Sequence, residues 1–397
     1  MRVVGLILAL AILLAGCEML LEGTEGTESH ISTTLPNHHG SEPVLDEHAP
    51  TVDSNEGLQA ILSSMSLEQK VGQLFLAACP KNAPLKAIAT YHLGGYLLFG
   101  DDFASETPDS LIKTLNGYQE ASTIPMLIAV DEEGGSVCRV SSYKKFRHSR
   151  FLSPRKLLDR GGVELLLETE REKCQLLRSL GINVNMAPVC DITTDSKAFM
   201  YSRSFGRNPV ETGQVVQKML DVMAAYQVGS VLKHFPGYGN NSDTHVAMAV
   251  DNRTLGELEN ADLIPFASGI DADCGAIMVS HTIIAALDDK NPATLSPSVH
   301  DYLRNKMGFT GVIMTDELNM AAITNHFGTG EAAVLAVLAG NDLLCTRSYE
   351  VQYEAVLKAV RFQRISLEQI DAAVLRVLGW KQSLGLLDSL LEKQDAT

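Results

Sequence analysis

Residues Val210–Gln227 read VETGQVVQKMLDVMAAYQ, and after Val228-Gly229 comes Ser230-Val231-Leu232-Lys233-His234, closed by Phe235-Pro236-Gly237. In the first stretch Val215, Val216, Met219, Leu220 and Met223 recur at the spacing of one helix face. The second is too short for a helix and has no alternation, as expected of a strand buried on both sides of a parallel sheet. Its last residues are a lysine and a histidine, so polar chemistry begins where the apolar run stops. One helix and one buried strand are the two parts of a β/α repeat, and the rest of the chain can be searched for more of them.

Seven further apolar runs read as strands: Gly72–Ala78, Gly95–Phe99, Met126–Val130, Asn183–Pro188, Ala276–Ser280, Val312–Thr315 and Asp342–Cys345. Between and after them lie amphipathic stretches, among them Asp109–Ala121, Val163–Leu180, Glu257–Gly269, Ser296–Met307, Glu331–Ala339, Gln352–Arg361 and Leu367–Leu384. Eight strands alternating with helices predict a (β/α)8 barrel of the TIM type, one catalytic domain spanning 58–388 with a tail over 389–397. A doubly wound open sheet is the competing arrangement, but no glycine-rich dinucleotide fingerprint follows an early strand.

In such a barrel the active site forms where the strands end. The third candidate strand ends in Asp131-Glu132-Glu133-Gly134-Gly135, the fourth in Pro188-Val189-Cys190-Asp191, the fifth in Lys233-His234, the sixth in Ser280-His281 and the seventh in Thr315-Asp316-Glu317. Carboxylates, imidazoles and a lysine therefore converge on one rim. No His-Glu-x-x-His, paired-cysteine or other metal-ligand spacing occurs, so no metal and no cofactor are expected. No Gly-x-Ser-x-Gly elbow or Walker loop occurs either. The chemistry on offer is acid/base and nucleophilic work on a polar, uncharged substrate.

Across 397 residues, Lys+Arg minus Asp+Glu is 32 − 48 = −16, a poor balance for gripping nucleic-acid phosphates. Ten of those acids, Glu18 to Glu68, lie between Arg2 and the next lysine or arginine, Lys70, so the body of the chain is only mildly acidic. Residues 1–16 carry one arginine and then a short apolar run, the pattern of a secretory signal that is too short to span a bilayer. Leu14-Ala15-Gly16-Cys17 resembles the bacterial lipobox, which implies cleavage before Cys17 and lipid attachment to its sulfur. Residues 17–57 then form a polar tether of roughly 35 Å reach. An exported protein anchored at the outer face of a bacterial cell membrane is the expectation, with the chain acting as a monomer. His30, His38, His39 and His48 read as part of the solvated tether, and the six cysteines beyond Cys17 as buried free thiols.

Val130-Asp131-Glu132-Glu133-Gly134-Gly135, Arg203-Ser204-Phe205-Gly206, Lys233-His234-Phe235-Pro236-Gly237, Pro292-Ala293-Thr294-Leu295-Ser296 and Gly308–Asp316 resemble glycoside hydrolase family 3, in the family's order and over about residues 60–385. The resemblance implies a carbohydrate substrate. Two-domain β-glucosidases of the family draw their acid/base from a C-terminal sandwich domain, which is not expected here because the sequence stops soon after the barrel. The β-N-acetylglucosaminidase branch uses an Asp-x-His pair after the Lys-His strand, and Asp243-Thr244-His245 sits in that position.

By that resemblance Asp316 is the nucleophile, His245 the acid/base and Asp243 its partner, while Asp131, Arg139, Arg203, Lys233 and His234 bind the sugar. The loop departs from the family pattern: Tyr238 replaces a common histidine, and the Asn240–Ser242 stretch is slightly shorter. Asp191 and His281 are expected behind the site, and Glu133 as a buried structural carboxylate. The implied activity is retaining exo-hydrolysis of terminal β-N-acetylglucosamine from peptidoglycan fragments or chitin-like oligosaccharides. A family 3 β-glucosidase or β-xylosidase, a β-N-acetylglucosaminide phosphorylase and a sugar-binding transport lipoprotein are the alternatives.

Overall fold

The structure, a computed structural model, describes residues 54–395 except 240, 242, 243 and 245–247. The signal segment, Cys17 and nearly all of the tether lie outside the described residues. Eight parallel strands form the expected barrel: β1 (Phe75–Ala78), β2 (Gly95–Leu98), β3 (Leu127–Val130), β4 (Val184–Asn185), β5 (Gly229–Phe235), β6 (Ala276–Val279), β7 (Val312–Thr315) and β8 (Leu344–Thr346). Neighbours in sequence are neighbours in the sheet, and β8 returns to pair with β1, Phe75 opposite Leu344. Closure between β7 and β8 comes from a bridge of Met314 with Leu343 and from Thr315 N donating to Leu343 O at 3.0 Å. The eight-stranded sheet is thereby left without an open edge, which is what closure achieves.

Several helices start with one local device. Thr107-Pro108, Ser153-Pro154, Asn208-Pro209 and Ser296-Pro297 each place a side-chain oxygen on the N3 amide and a proline at the first helical position. The cap satisfies an amide that has no partner inside the helix, and proline lacks one to satisfy. Each of these four helices begins where a loop returns from the strand-end rim, so the rim loops have fixed exits.

The barrel interior is a stack of Leu76, Leu97, Leu127, Met186, Val231, Met278, Met314 and Cys345, plugged from the strands' N-terminal side by Val377 and Trp380 of the helix Leu367–Ser383 and by Leu384, which caps that helix. The outer faces of the strands pack on the helices through two larger apolar clusters. At about 25 cal/mol per Å² of buried apolar surface this double shell dominates the favourable side of folding. All six described cysteines are free thiols, five buried and Cys79 half-buried.

Four details differ from the reading of the sequence. Gly72 and Gln73 end the helix Leu67–Gln73 rather than opening β1. The Glu257–Gly269 stretch is two helices, Leu255–Glu259 and Leu263–Ile270. A helix begins at Ser54, within the stretch read as tether, because Leu58, Ile61, Leu62 and Met65 further along it bury against the core. The stretch read as a tail forms a helix over Asp388–Asp395, where Leu390 and Leu391 pack on the same cluster. No helix of the described residues is long and apolar enough to cross a membrane.

Candidate active site

A cavity of about 800 Å³ opens at the C-terminal ends of the strands. Its floor is the top of the barrel stack, Leu97, Met186, Met278 and Cys345. Its walls hold Asp131, Arg139, Arg203, Lys233, His234 and Asp316, so six of the eight residues assigned to the site from sequence share one space. The other two, Asp243 and His245, lie outside the described residues.

β3 and β5 supply the most charged wall. Lys233 Nζ lies 2.7 Å from Asp131 Oδ1 and 2.7 Å from Glu133 Oε1. Arg203 grips Glu133 and also approaches His234, Nη2 to Nε2 at 3.4 Å. Burial favours the neutral form of Glu133, but Arg203 and then Lys233 outweigh it and hold the carboxyl below its ordinary range. Burial acts against the Lys233 ammonium in the same way, and Asp131 followed by Glu133 reverses that, so the lysine stays charged. Glu133 is thus committed to two cations. Arg203 spends Nε and Nη2 on it, which turns a flexible arginine into a fixed part of the cavity wall.

Asp131 has a different environment. It is partly open to the cavity, with Lys233 on one oxygen and Arg139 Nη2 3.8 Å from the other. Arg139 is presented by a loop that Glu132 folds. The buried Glu132 carboxylate accepts the backbone amides of Arg139 and Val140 at 2.8 Å each, with Ser141 contributing its amide and hydroxyl. Asp191 anchors β5 from behind. One of its oxygens lies 2.8 Å from His234 Nδ1, and the other accepts Tyr238 N at 2.7 Å. A carboxylate there assigns the proton to Nδ1 and leaves Nε2 toward Arg203 and the cavity.

Asp316 follows β7. Its backbone N donates to Val279 O at 3.1 Å and its Oδ1 accepts Glu317 N at 2.7 Å, which fixes the carboxylate at the mouth of the barrel. His281 sits behind it, with Nδ1 2.9 Å from Thr294 Oγ1 and Nε2 3.0 Å from Glu317 O.

Sequence reading missed the opposite wall. Arg347, just past β8, stacks 3.9 Å over the Phe99 ring and reaches Glu317 Oε2 with Nε at 2.8 Å. Asn319 accepts the hydroxyl of Thr346 and the amide of Arg347 at 2.9 Å each. Extending the strand-end reading to the eighth strand, Leu344-Cys345-Thr346-Arg347, would have found Arg347. Among the described residues no cluster of three or more His, Cys, Asp and Glu is arranged to hold a metal ion. The cavity therefore combines a fixed carboxylate, a charged hydrogen-bonding wall and an apolar floor, which suits a hydroxylated ring-shaped ligand.

Residues 66–379 match the Glycosyl hydrolase family 3 N terminal domain. The chain belongs to glycosyl hydrolase family 3. Within the family it is 28% identical to Beta-hexosaminidase LpqI of Mycobacterium tuberculosis, over 94% of this chain and 96% of that one. It is 31% identical to a Beta-hexosaminidase of Xylella fastidiosa strain M12, over 72% of this chain and 86% of the relative. The solved family 3 β-N-acetylglucosaminidase from Paenibacillus sp. str. FPU-7 superposes with a TM-score of 0.76 at 33% identity, covering 81% of this chain and 63% of that longer one. The family membership accounts for the barrel.

Proposed function

We propose that this family 3 enzyme is a retaining exo-β-N-acetylglucosaminidase that removes terminal N-acetylglucosamine from peptidoglycan fragments or chitin-like oligosaccharides. The observation that carries this is the convergence of Asp316 with Asp131, Arg139, Arg203, Lys233 and His234 in one cavity on the barrel rim. The activities named for the relatives point to the sugar. Asp316 attacks C1 and the bond from C1 to the leaving oxygen breaks, that oxygen taking a proton from His245. Water then attacks C1, its proton passing to His245 as the bond to Asp316 breaks, so two displacements retain the configuration. Asp243 orients the imidazole and stabilises its charged form. The Asp131 carboxylate accepts sugar hydroxyls, and the arginines donate in a fixed fork.

The test is to assay the full chain, in detergent, near neutral pH on chromogenic β-N-acetylglucosaminide and β-glucoside side by side. Release confined to the N-acetylglucosaminide, with the β anomer formed first, and lost in Asp316→Asn, is expected. Turnover surviving in Asp316→Asn removes the nucleophile assignment, and α-anomer product removes retention.

The same reading places the enzyme outside the cytoplasmic membrane, held by lipid at Cys17. The short apolar run and the Leu-Ala-Gly-Cys sequence support it. Cys17→Ala is expected to move the protein from the membrane fraction to the soluble one, and an unchanged distribution counts against the anchor.

A further inference from the structure

Tyr238 and Thr244, in the loop after β5, are buried although the loop belongs to the open rim. Tyr238 is 1% exposed and Thr244 is 0% exposed, and their hydroxyls are hydrogen-bonded to each other. Thr244 is the single residue between Asp243 and His245. We propose that Tyr238 is a positioning residue for the acid/base pair, its hydroxyl tying down the one residue that joins Asp243 to His245. This rests on the hydrolase reading above and adds to it the group that sets the acid/base in place.

The root of this strut is fixed by the sugar-binding wall. Tyr238 N donates to Asp191 at 2.7 Å, and Asp191 also holds His234. The Tyr238 ring stands edge-on to His234, 5.2 Å between centroids at 89°, and 5.8 Å from the Phe199 ring. Burial, followed by the negative charge of Asp316, pushes the phenol up, so it stays protonated and keeps a proton to donate.

Asn241, which lies between Tyr238 and Thr244 in sequence, has its own footing. Asn241 N donates to Tyr238 O at 2.9 Å and Asn241 Nδ2 to Asp251 Oδ2 at 3.0 Å. Arg253 is held between Asp251 and Asp262. Gly237 and Gly239 have φ of 116° and 54°, and a Cβ on either would meet the side chain of Asp262 at 2.5 Å or of Arg253 at 2.6 Å. Only glycine fits both the backbone and the space, so the chain at Gly237 and Gly239 lies directly on this charged base. Neighbouring Cα atoms are fixed about 3.8 Å apart by a trans peptide, so anchoring Thr244 constrains both of its neighbours.

Tyr238→Phe removes one oxygen and keeps the ring that packs on His234 and Phe199. A misplacement of about 1 Å can cost on the order of 10²-fold in rate, and a departing group that is already a good one needs little protonation. In Tyr238→Phe, kcat/KM for a β-N-acetylglucosaminide with an alkyl or sugar leaving group is therefore expected to fall roughly 10²-fold. For an activated aryl leaving group it should barely change, steepening the dependence on leaving-group acidity. Thr244→Val should give the same pattern, Thr244→Ser should restore it, and the double variant should be no worse than either single. Equal losses on both substrates, or no loss on either, overturn the positioning role. The hydrolase reading fails separately, through an active Asp316→Asn, so the two failures cannot be confused.

Discussion

Arg203 holds Glu133 at two points, Nε to Oε2 at 2.9 Å and Nη2 to Oε1 at 2.6 Å, and the carboxylate of this pair is buried. Removing one member of a buried pair leaves the other uncompensated, at about 3–5 kcal/mol. Glu133→Gln is expected to lose stability in that range at neutral pH.

The pH dependence follows from the same pair. Because the folded-state carboxyl is held below its ordinary value of 4.5, its contribution is present above that value and drains as pH falls toward the folded one. The stability gap between wild type and Glu133→Gln, measured by urea unfolding, should be constant from pH 7 to pH 5 and narrow below. A gap that widens in acid is incompatible with this assignment.

Asp131 shares Lys233 with Glu133 but faces the cavity, so its removal should show in binding. A hydrogen bond to a charged group contributes about 1.5–3 kcal/mol, and 1.4 kcal/mol is about tenfold. Asp131→Asn is expected to lower kcat/KM by about 10–100-fold, mainly through a higher KM. Steady-state kinetics with an unchanged KM would place Asp131 outside the sugar contacts.

Lys381 tests a different region, the N-terminal side of the barrel. It is fully buried, and its ammonium meets the side-chain oxygen of Gln73 at 2.7 Å. Burial pushes it down from 10.5 to about 7. A lysine lowered in the folded state gives stability that is full above the unfolded value and lost as pH falls to the folded one, with a slope of at most about 1.4 kcal/mol per pH unit. Lys381→Met should therefore stabilise the protein more at pH 7 than at pH 10. Thermal unfolding of both proteins across that range checks it, and a difference independent of pH would show that Lys381 is not titrating there.

These effects divide by how far each residue reaches along the chain. The eight strands were legible because a strand buried on both faces needs a continuous apolar run, although Gly72-Gln73 end a helix, Asp342-Leu343 precede β8, and only Val184–Asn185 of the run 183–188 form β4. The charged cavity wall was legible because Asp131, the Lys233-His234 pair and Asp316 each sit at the end of an apolar run, where a barrel puts its rim. Arg347 on Phe99, the cap of Glu132 over the Arg139 loop and the link from Tyr238 to Thr244 were not legible. Each depends on which loop residue folds back on which, and no periodicity records that. The paired strands Val250–Asp251 and Ile283–Ile284 are too short to leave a pattern.

Trp380 packs against two glycines at the starts of neighbouring strands, Gly229 of β5 and Gly275 just before β6. A Cβ at Gly275 would lie 2.2 Å from Trp380 Nε1, and one at Gly229 would lie 3.0 Å from Trp380 Cζ2. The indole cannot retreat from Gly275 without pressing on its other neighbours, so Gly275→Ala overpacks the plug at about 1–3 kcal/mol. Trp380→Ala leaves a void instead, at about 3–5 kcal/mol. The two changes share one space, so the double variant should be less destabilised than the sum, the alanine methyl entering room the indole has vacated. Because this end of the barrel is opposite the cavity, kcat of each folded variant should match wild type. Additive losses in chemical denaturation would mean that the methyl and the indole do not compete for the same volume.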